Sequence, residues 1–202
     1  MALAKLKKHL PARLRRLRRR LQELNLDALI VTDPVDVSYL TGFQGDESVL
    51  VLTRTRRVLV TDSRFTVQAL KECPGLPVFI RPGKITEAVG QVLARSRPGP
   101  RRKFRIGIEA DHVTCSQFRS YRKAAGPGLK QVPALVAPLR LTKDDYELSQ
   151  IRRAIRIAQE ALKETLSRLR AGLSEREIAA RLEYEMARRG STQPVSYTHL
   201  TL

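Results

Sequence analysis

The chain has 202 residues, 42% of them hydrophobic, and a formal charge of +18. That length and apolar content suit one folded domain and part of a second, and they exclude a low-complexity chain that cannot bury a core. No run approaches the ~18 apolar residues needed to span a bilayer. The two cysteines, Cys73 and Cys115, stand in no metal-finger or CxxC spacing.

Lys5, Lys7 and Lys8 precede no apolar signal-peptide core. An Arg-rich, acid-poor start also fits an organelle transit peptide; the reading preferred is a cytoplasmic protein with a short extension over residues 1–10. Of the 38 basic residues 28 are arginine, scattered along the chain. The densest run, Arg13–Arg20, is interleaved with Leu10, Leu14, Leu17, Leu21 and Leu24 at helical spacing. A helix over 11–24 follows, with Pro11 in its first turn and its arginines on the solvated face. A basic nucleic-acid binder is the third-ranked reading, weakened by an aromatic content of 5%.

Asp27-Ala-Leu-Ile-Val31 predicts a buried strand, broken at Asp33-Pro34. Asp36-Val-Ser-Tyr-Leu-Thr-Gly-Phe43 reads as a loop that turns at Gly42. Ser48–Thr53 and Arg57–Thr61 are apolar runs joined by three residues, the pattern of an antiparallel hairpin. Ser63 is placed to cap a helix through about Glu72, ended by Cys73-Pro-Gly-Leu-Pro77. Val78–Ile80 is a short strand. Ile85, Ala88, Val89, Val92 and Leu93 mark a helix, and Arg105–Glu109 a strand. A helix over 114–124, a loop at Gly126-Pro-Gly128 and a proline-bounded stretch from Pro133 to Pro138 complete an α/β pattern with a mixed sheet.

Beyond it, Thr142 is the expected cap of a long helix with the stripe Leu148, Ile151, Ile155, Ala158, Leu162, Leu166 and Leu169. Gly172 stops it, and Ser174-Glu-Arg-Glu177 is a capping box for a second helix ending at Gly190.

Asp36-Val-Ser-Tyr-Leu-Thr-Gly-Phe43 followed by Asp62-Ser-Arg-Phe65 resembles the creatinase, prolidase and Xaa-Pro aminopeptidase family. Its usual form there is Asn-Val-x-Tyr-Leu-Thr-Gly-Phe, then Asp-x-Arg-Tyr. Lys143-x-x-x-Glu147, Ile151-Arg152, Ala154 and Gly172-Leu-Ser-Glu-Arg-Glu177 resemble the opening of the same family's catalytic domain. The resemblance implies a creatinase-like α/β domain over 11–138, then two helices of an incomplete α+β pita-bread domain over 139–194. It implies a parent enzyme that cleaves the bond before proline with two divalent metal ions, usually manganese, acting as a dimer or tetramer on proline-containing peptides. A creatinase-type hydrolase of a small non-peptide substrate and a non-catalytic interaction module of the same fold are the alternatives. Specific nucleic-acid and membrane partners are not expected.

In that family the N-terminal domain makes subunit contacts and sets loops near a catalytic mouth. On that ground Tyr39, Phe43, Asp46 and Arg64 are the candidate contact residues. The local alternative is that Tyr39 and Phe43 plug the core edge while Arg64 pairs with Asp62 or Asp46. Asp36 departs from the family's asparagine and lacks its amide donor.

No catalytic or metal-ligating residue is expected within the chain. The family's ligands (two aspartates, a histidine and two glutamates) are implied to lie beyond its end. Asp144, Asp145 and Glu147 suit a helix's first turn; Glu175, Glu177, Glu183 and Glu185 have no histidine nearby in sequence, and His9 and His112 stand alone. No GxSxG, P-loop or GxGxxG motif is present. Val195-Ser-Tyr-Thr-His-Leu-Thr-Leu202 resembles a translated transposon-end sequencing adapter, so His199 is assigned to no site.

Overall fold

Ala28–Val31 (β1) is buried at all four positions, and alternate residues along it feed two different cores. Successive side chains of a strand point to opposite faces of the sheet. Leu29 and Val31 join Leu50, Leu52 and Leu59 in one cluster, while Ala28 and Ile30 join Val49, Val51 and Val60 in the other. The computed structural model describes residues 2–97, 99 and 103–191. The chain divides into two compact units, Met1–Thr142 and Lys143–Leu202.

In the first unit β1 is joined by β2 (Ser48–Thr53), β3 (Arg57–Thr61), β4 (Val78–Ile80), β5 (Ile106–Glu109) and β6 (Leu129–Val132). They form a six-stranded sheet in the order β4-β3-β2-β1-β5-β6. β2 is antiparallel to β1 and β3, and the pairs β3–β4, β1–β5 and β5–β6 are parallel. The predicted hairpin is therefore present, with Leu50 opposite Leu59 and Val49 opposite Val60.

Helices cover both faces, as the sequence pattern predicts. On one face α1 (Ala2–Glu23), α2 (Pro34–Thr41), α3 (Thr66–Glu72) and α6 (Ala137–Leu141) bring in Leu17, Leu21, Val37, Leu40, Ala69 and Leu139. On the other, α4 (Ile85–Ser96) and α5 (Cys115–Ala125) supply Val89, Val92, Leu93, Tyr121 and Ala125. The two helices approach closely at Gly90, where an added Cβ would lie 2.7 Å from the Ala124 carbonyl oxygen.

Several local expectations are corrected. Residues 34–41 are helical rather than a loop: Asp33 caps α2 by accepting the Asp36 N–H, Pro34 takes the first turn, and Gly42 ends the helix at φ 85°. The same chemistry that reads as a strand break serves as a helix start. α1 begins at Ala2, so Pro11 lies inside it rather than at its first turn. Asp62, not Ser63, caps a 3-10 turn over Ser63–Phe65 that leads into α3. Leu129–Val132, to which the sequence pattern assigns no element, is an edge strand with only Leu129 fully buried.

The second unit holds α7 (Asp145–Leu166) and α8 (Glu175–Arg188). Asp144, rather than Thr142, caps α7 through a reciprocal box with Glu147, and Ser174 with Glu177 forms the predicted box on α8. Ala161, Thr165 and Glu185 are buried in this unit, while Leu148, Ile151, Ile155, Leu162, Leu166 and Leu169 are 36% to 55% exposed. The adapter-like segment 195–202 lies outside the described residues.

Candidate functional site

Two polar clusters stand out on the first unit. The first is built at the carboxyl ends of β1 and β5. Asp33 Oδ2 accepts the Asp36 N–H at 3.1 Å, which fixes its carboxylate over the start of α2. One helical turn on, the Asp36 side chain is fully buried and its Oδ1 accepts a hydrogen bond from Arg140 Nη1 at 2.7 Å. Its Oδ2 is buried without a hydrogen-bond partner. Burial pushes the Asp36 carboxyl above the usual carboxylate range, against the pull of Arg140.

Glu109 ends β5 and is 1% exposed. Its Oε1 accepts the backbone N–H groups of Leu135 and Val136 at 2.5 and 2.9 Å, and its Oε2 is buried without a partner. Burial pushes Glu109 upward too, with those two N–H bonds opposing and the nearby Asp36 charge adding to the rise. His112 closes the 3-10 turn Ala110–His112, with Nδ1 3.8 Å from Asp33 Oδ1. Asp33, Asp36 and His112 each offer one ligand atom, all within 4.8 Å of one another. His112, alone in the sequence, thus meets two carboxylates that lie more than seventy positions earlier. The signal available was Glu109: a carboxylate closing an apolar strand needs a specific partner.

The second cluster sits beside the β2–β3 hairpin. Asp62 accepts the Arg64 N–H at 2.9 Å and also binds its guanidinium, with Nη2 at 2.7 Å. Arg81 Nη2 bridges Asp62 at 3.3 Å and Glu47 at 3.5 Å. The hydrogen bonds from Arg64 hold the Asp62 carboxyl below its ordinary range.

Of the four candidate contact residues, Asp46 and Arg64 are exposed, and Tyr39 and Phe43 are interior. Arg13 stacks 4.1 Å from the Tyr39 ring, and the Tyr39 hydroxyl donates to the Leu139 carbonyl at 3.3 Å. Phe43 is wholly buried, edge-to-face with Phe65 at 5.8 Å. In the second unit the acidic residues of the first turns are occupied as caps: Asp144 and Glu147 bond each other's backbone N–H groups, and Glu177 does the same with Ser174. Among the described residues, Asp33, Asp36 and His112 are the one group with metal-ligand spacing.

The mixed six-stranded sheet with helices on both faces makes the first unit an α/β domain. Residues 13–142 match the Creatinase/Prolidase N-terminal domain family, and the chain belongs to it. Residues 149–201 match Metallopeptidase family M24, a match that runs across most of the adapter-like segment. An uncharacterized peptidase of Bacillus subtilis, YqhT, is 27% identical over 180 residues, 89% of this chain and 50% of its own length. The solved Xaa-Pro dipeptidase from Bacillus anthracis superposes with a TM-score of 0.80 at 27% identity, over 91% of this chain and 50% of that one. The X-Pro aminopeptidase from Thermotoga maritima gives 0.74 at 31% identity, over 86% of this chain and 50% of its own. The chain thus spans about half the length of the relatives it matches. No helix among the described residues is long and apolar enough to cross a membrane.

Proposed function

We propose that this chain is the N-terminal half of a peptidase that hydrolyses the bond preceding proline, its catalytic site carried by residues beyond those present. The observation that carries this reading is the order of the two family matches, creatinase-type domain first and metallopeptidase domain second. The dipeptidase and aminopeptidase structures that share its fold support the substrate class. Residues 11–138 then form the N-terminal domain, and the helices from Asp145 onward open the catalytic one.

In the whole protein a pair of divalent ions, manganese in this reading, would supply Lewis-acid chemistry for peptide hydrolysis at neutral pH, held by residues outside this chain. The N-terminal domain contributes subunit contacts in a homodimer or homotetramer and shapes the substrate mouth. Asp46 and Arg64 carry that contact, since both are exposed and Arg64 is held rigid by its paired bonds to Asp62. Two cysteines outside any disulfide, one of them exposed, suit a reducing cytoplasm.

The test is to extend the reading frame past Gln193 from the source DNA and assay the longer protein on an Xaa-Pro peptide with manganese. Turnover supports the reading, and its absence from a folded, metal-loaded protein contradicts it. In the same protein Arg64→Ala is expected to weaken the oligomer by sedimentation or to raise KM. A variant unchanged in both removes Arg64 from the mouth.

A further inference from the structure

We propose that Asp33, Asp36 and His112 form a binding site for one divalent transition-metal ion in the N-terminal unit, tying the start of α2 to the turn that follows β5. The three ligand atoms already lie within 4.8 Å of one another. Donors about 2.0–2.2 Å from a tetrahedral ion stand about 3.4 Å apart, so closure needs small side-chain rotations only.

A cluster of side chains is not in itself a site, and here the buried carboxylate supplies what the cluster lacks. Asp36 is fully buried, its Oδ1 is committed to Arg140, and its Oδ2 is left without a hydrogen-bond partner. A buried polar atom in that state is costly unless something satisfies it. Glu109, close enough for the charges of Asp36 and His112 to act on it, also has a buried oxygen without a partner. Charge points the same way. Three carboxylates, Asp33, Asp36 and Glu109, face one guanidinium, Arg140, and a histidine, inside a chain whose overall charge is +18. A divalent ion would add the positive charge that this cluster lacks.

Two of the three ligand side chains, and the backbone of the third, are held from behind. Asp33 Oδ2 accepts the Asp36 N–H, Asp36 Oδ1 accepts from Arg140, and the His112 carbonyl accepts from Thr32 Oγ1 at 3.4 Å. Such outer partners orient the ligands of metal sites. One imidazole nitrogen and two carboxylate oxygens suit zinc, cobalt or manganese better than calcium or magnesium, which prefer oxygen alone. The position also lies within the parallel part of the mixed sheet, at the end where ligands bind in open α/β sheets. β1 and β5 are parallel neighbours, and the chain leaves their carboxyl ends towards opposite edges, to β2 and to β6.

The experiment uses the 202-residue chain, freed of metal, titrated with Co2+ and followed by visible d–d absorption with Zn2+ as competitor. The expected result is one Co2+ per chain, displaced by Zn2+, and a rise in Tm on loading. His112→Ala, at a partly exposed position, is expected to weaken binding at least about tenfold and abolish the Tm rise. Asp36→Asn, which keeps an oxygen for Arg140, is expected to weaken it as well. His9→Ala and His199→Ala are expected to change nothing. The proposal is overturned if no saturable Co2+ or Zn2+ binding occurs, or if binding survives His112→Ala within about twofold. Loss of binding in His9→Ala or His199→Ala instead overturns it too.

Discussion

Asp36 shows how one side chain can be legible in type and illegible in role. Its place in the Asp36–Phe43 string marks it as a variant of a family asparagine, and the structure shows what the change leaves: an oxygen bonded to Arg140 and another with no partner. Arg140 stands 104 positions away, and no local pattern announces that pairing. The sign of the consequence can be worked out. Asp36 and Glu109 both have carboxyls raised by burial, so the folded state holds their protons more tightly than the unfolded chain. Their contribution to stability is complete below the ordinary carboxylate range and is lost as pH rises through the raised values. Asp36→Asn removes one such group. Measured with a chelator present, the Tm difference between variant and parent is expected to shift in the variant's favour as pH rises from about 4 to about 7. Asp62, whose carboxyl is lowered through Arg64, loses its contribution as pH falls, but it is common to both proteins and cancels. A difference flat across that interval contradicts the account of Asp36.

At the scale of elements, strongly periodic segments are legible and short capped ones are not. The leucines of α1, the two runs of the hairpin and the stripe of α7 were all readable from spacing. α2 was not, because its eight residues carry no apolar stripe and its start signal, Asp33-Pro34, also means a strand end. β6 is not legible because Leu129-Lys-Gln-Val132 alternates poorly and lies at a sheet edge, where only one side chain is fully buried. The α4–α5 contact rests on Gly90, which looks like a weak helix residue in sequence and a packing requirement in space. Gly90→Ala is expected to cost about 1–3 kcal/mol in denaturant unfolding despite the better helix propensity of alanine. A neutral or stabilising result would mean that the helices separate freely. The α7 stripe gives a second prediction. Five apolar side chains of α7 and Leu169 just beyond it, 36% to 55% exposed, leave area worth about 25 cal/mol per Å2 on burial. The 202-residue chain is therefore expected to self-associate in sedimentation, and a chain ending at residue 142 to remain monomeric. Equal monomeric masses would show that the stripe is inert.

For the whole molecule, the sequence motifs lead to the right family and the right class of sheet, while strand order depends on pairings far apart in the chain. β1 pairs with β5 in register Ile30 to Ile108, and no spacing rule specifies that neighbour. The same long-range pairing is what brings His112 to Asp33, so the metal cluster was beyond sequence reading for the reason that the sheet order was. The chain contains a creatinase-type domain followed by a segment that matches a metallopeptidase family, and the proposal is that the catalytic centre lies outside it. Asp144, Glu147 and Glu177 are engaged as helix caps, and among the described residues the one cluster of metal-ligand spacing lies in the first unit. A metal-activated nucleophile needs an open site of adequate ligands presented to substrate. The most direct measurement compares hydrolysis of an Xaa-Pro peptide, with manganese, by the purified 202-residue chain and by the protein extended from source DNA. The account predicts metal-dependent turnover by the longer protein alone. Turnover by the 202-residue chain that co-purifies with it and disappears on chelation would contradict it.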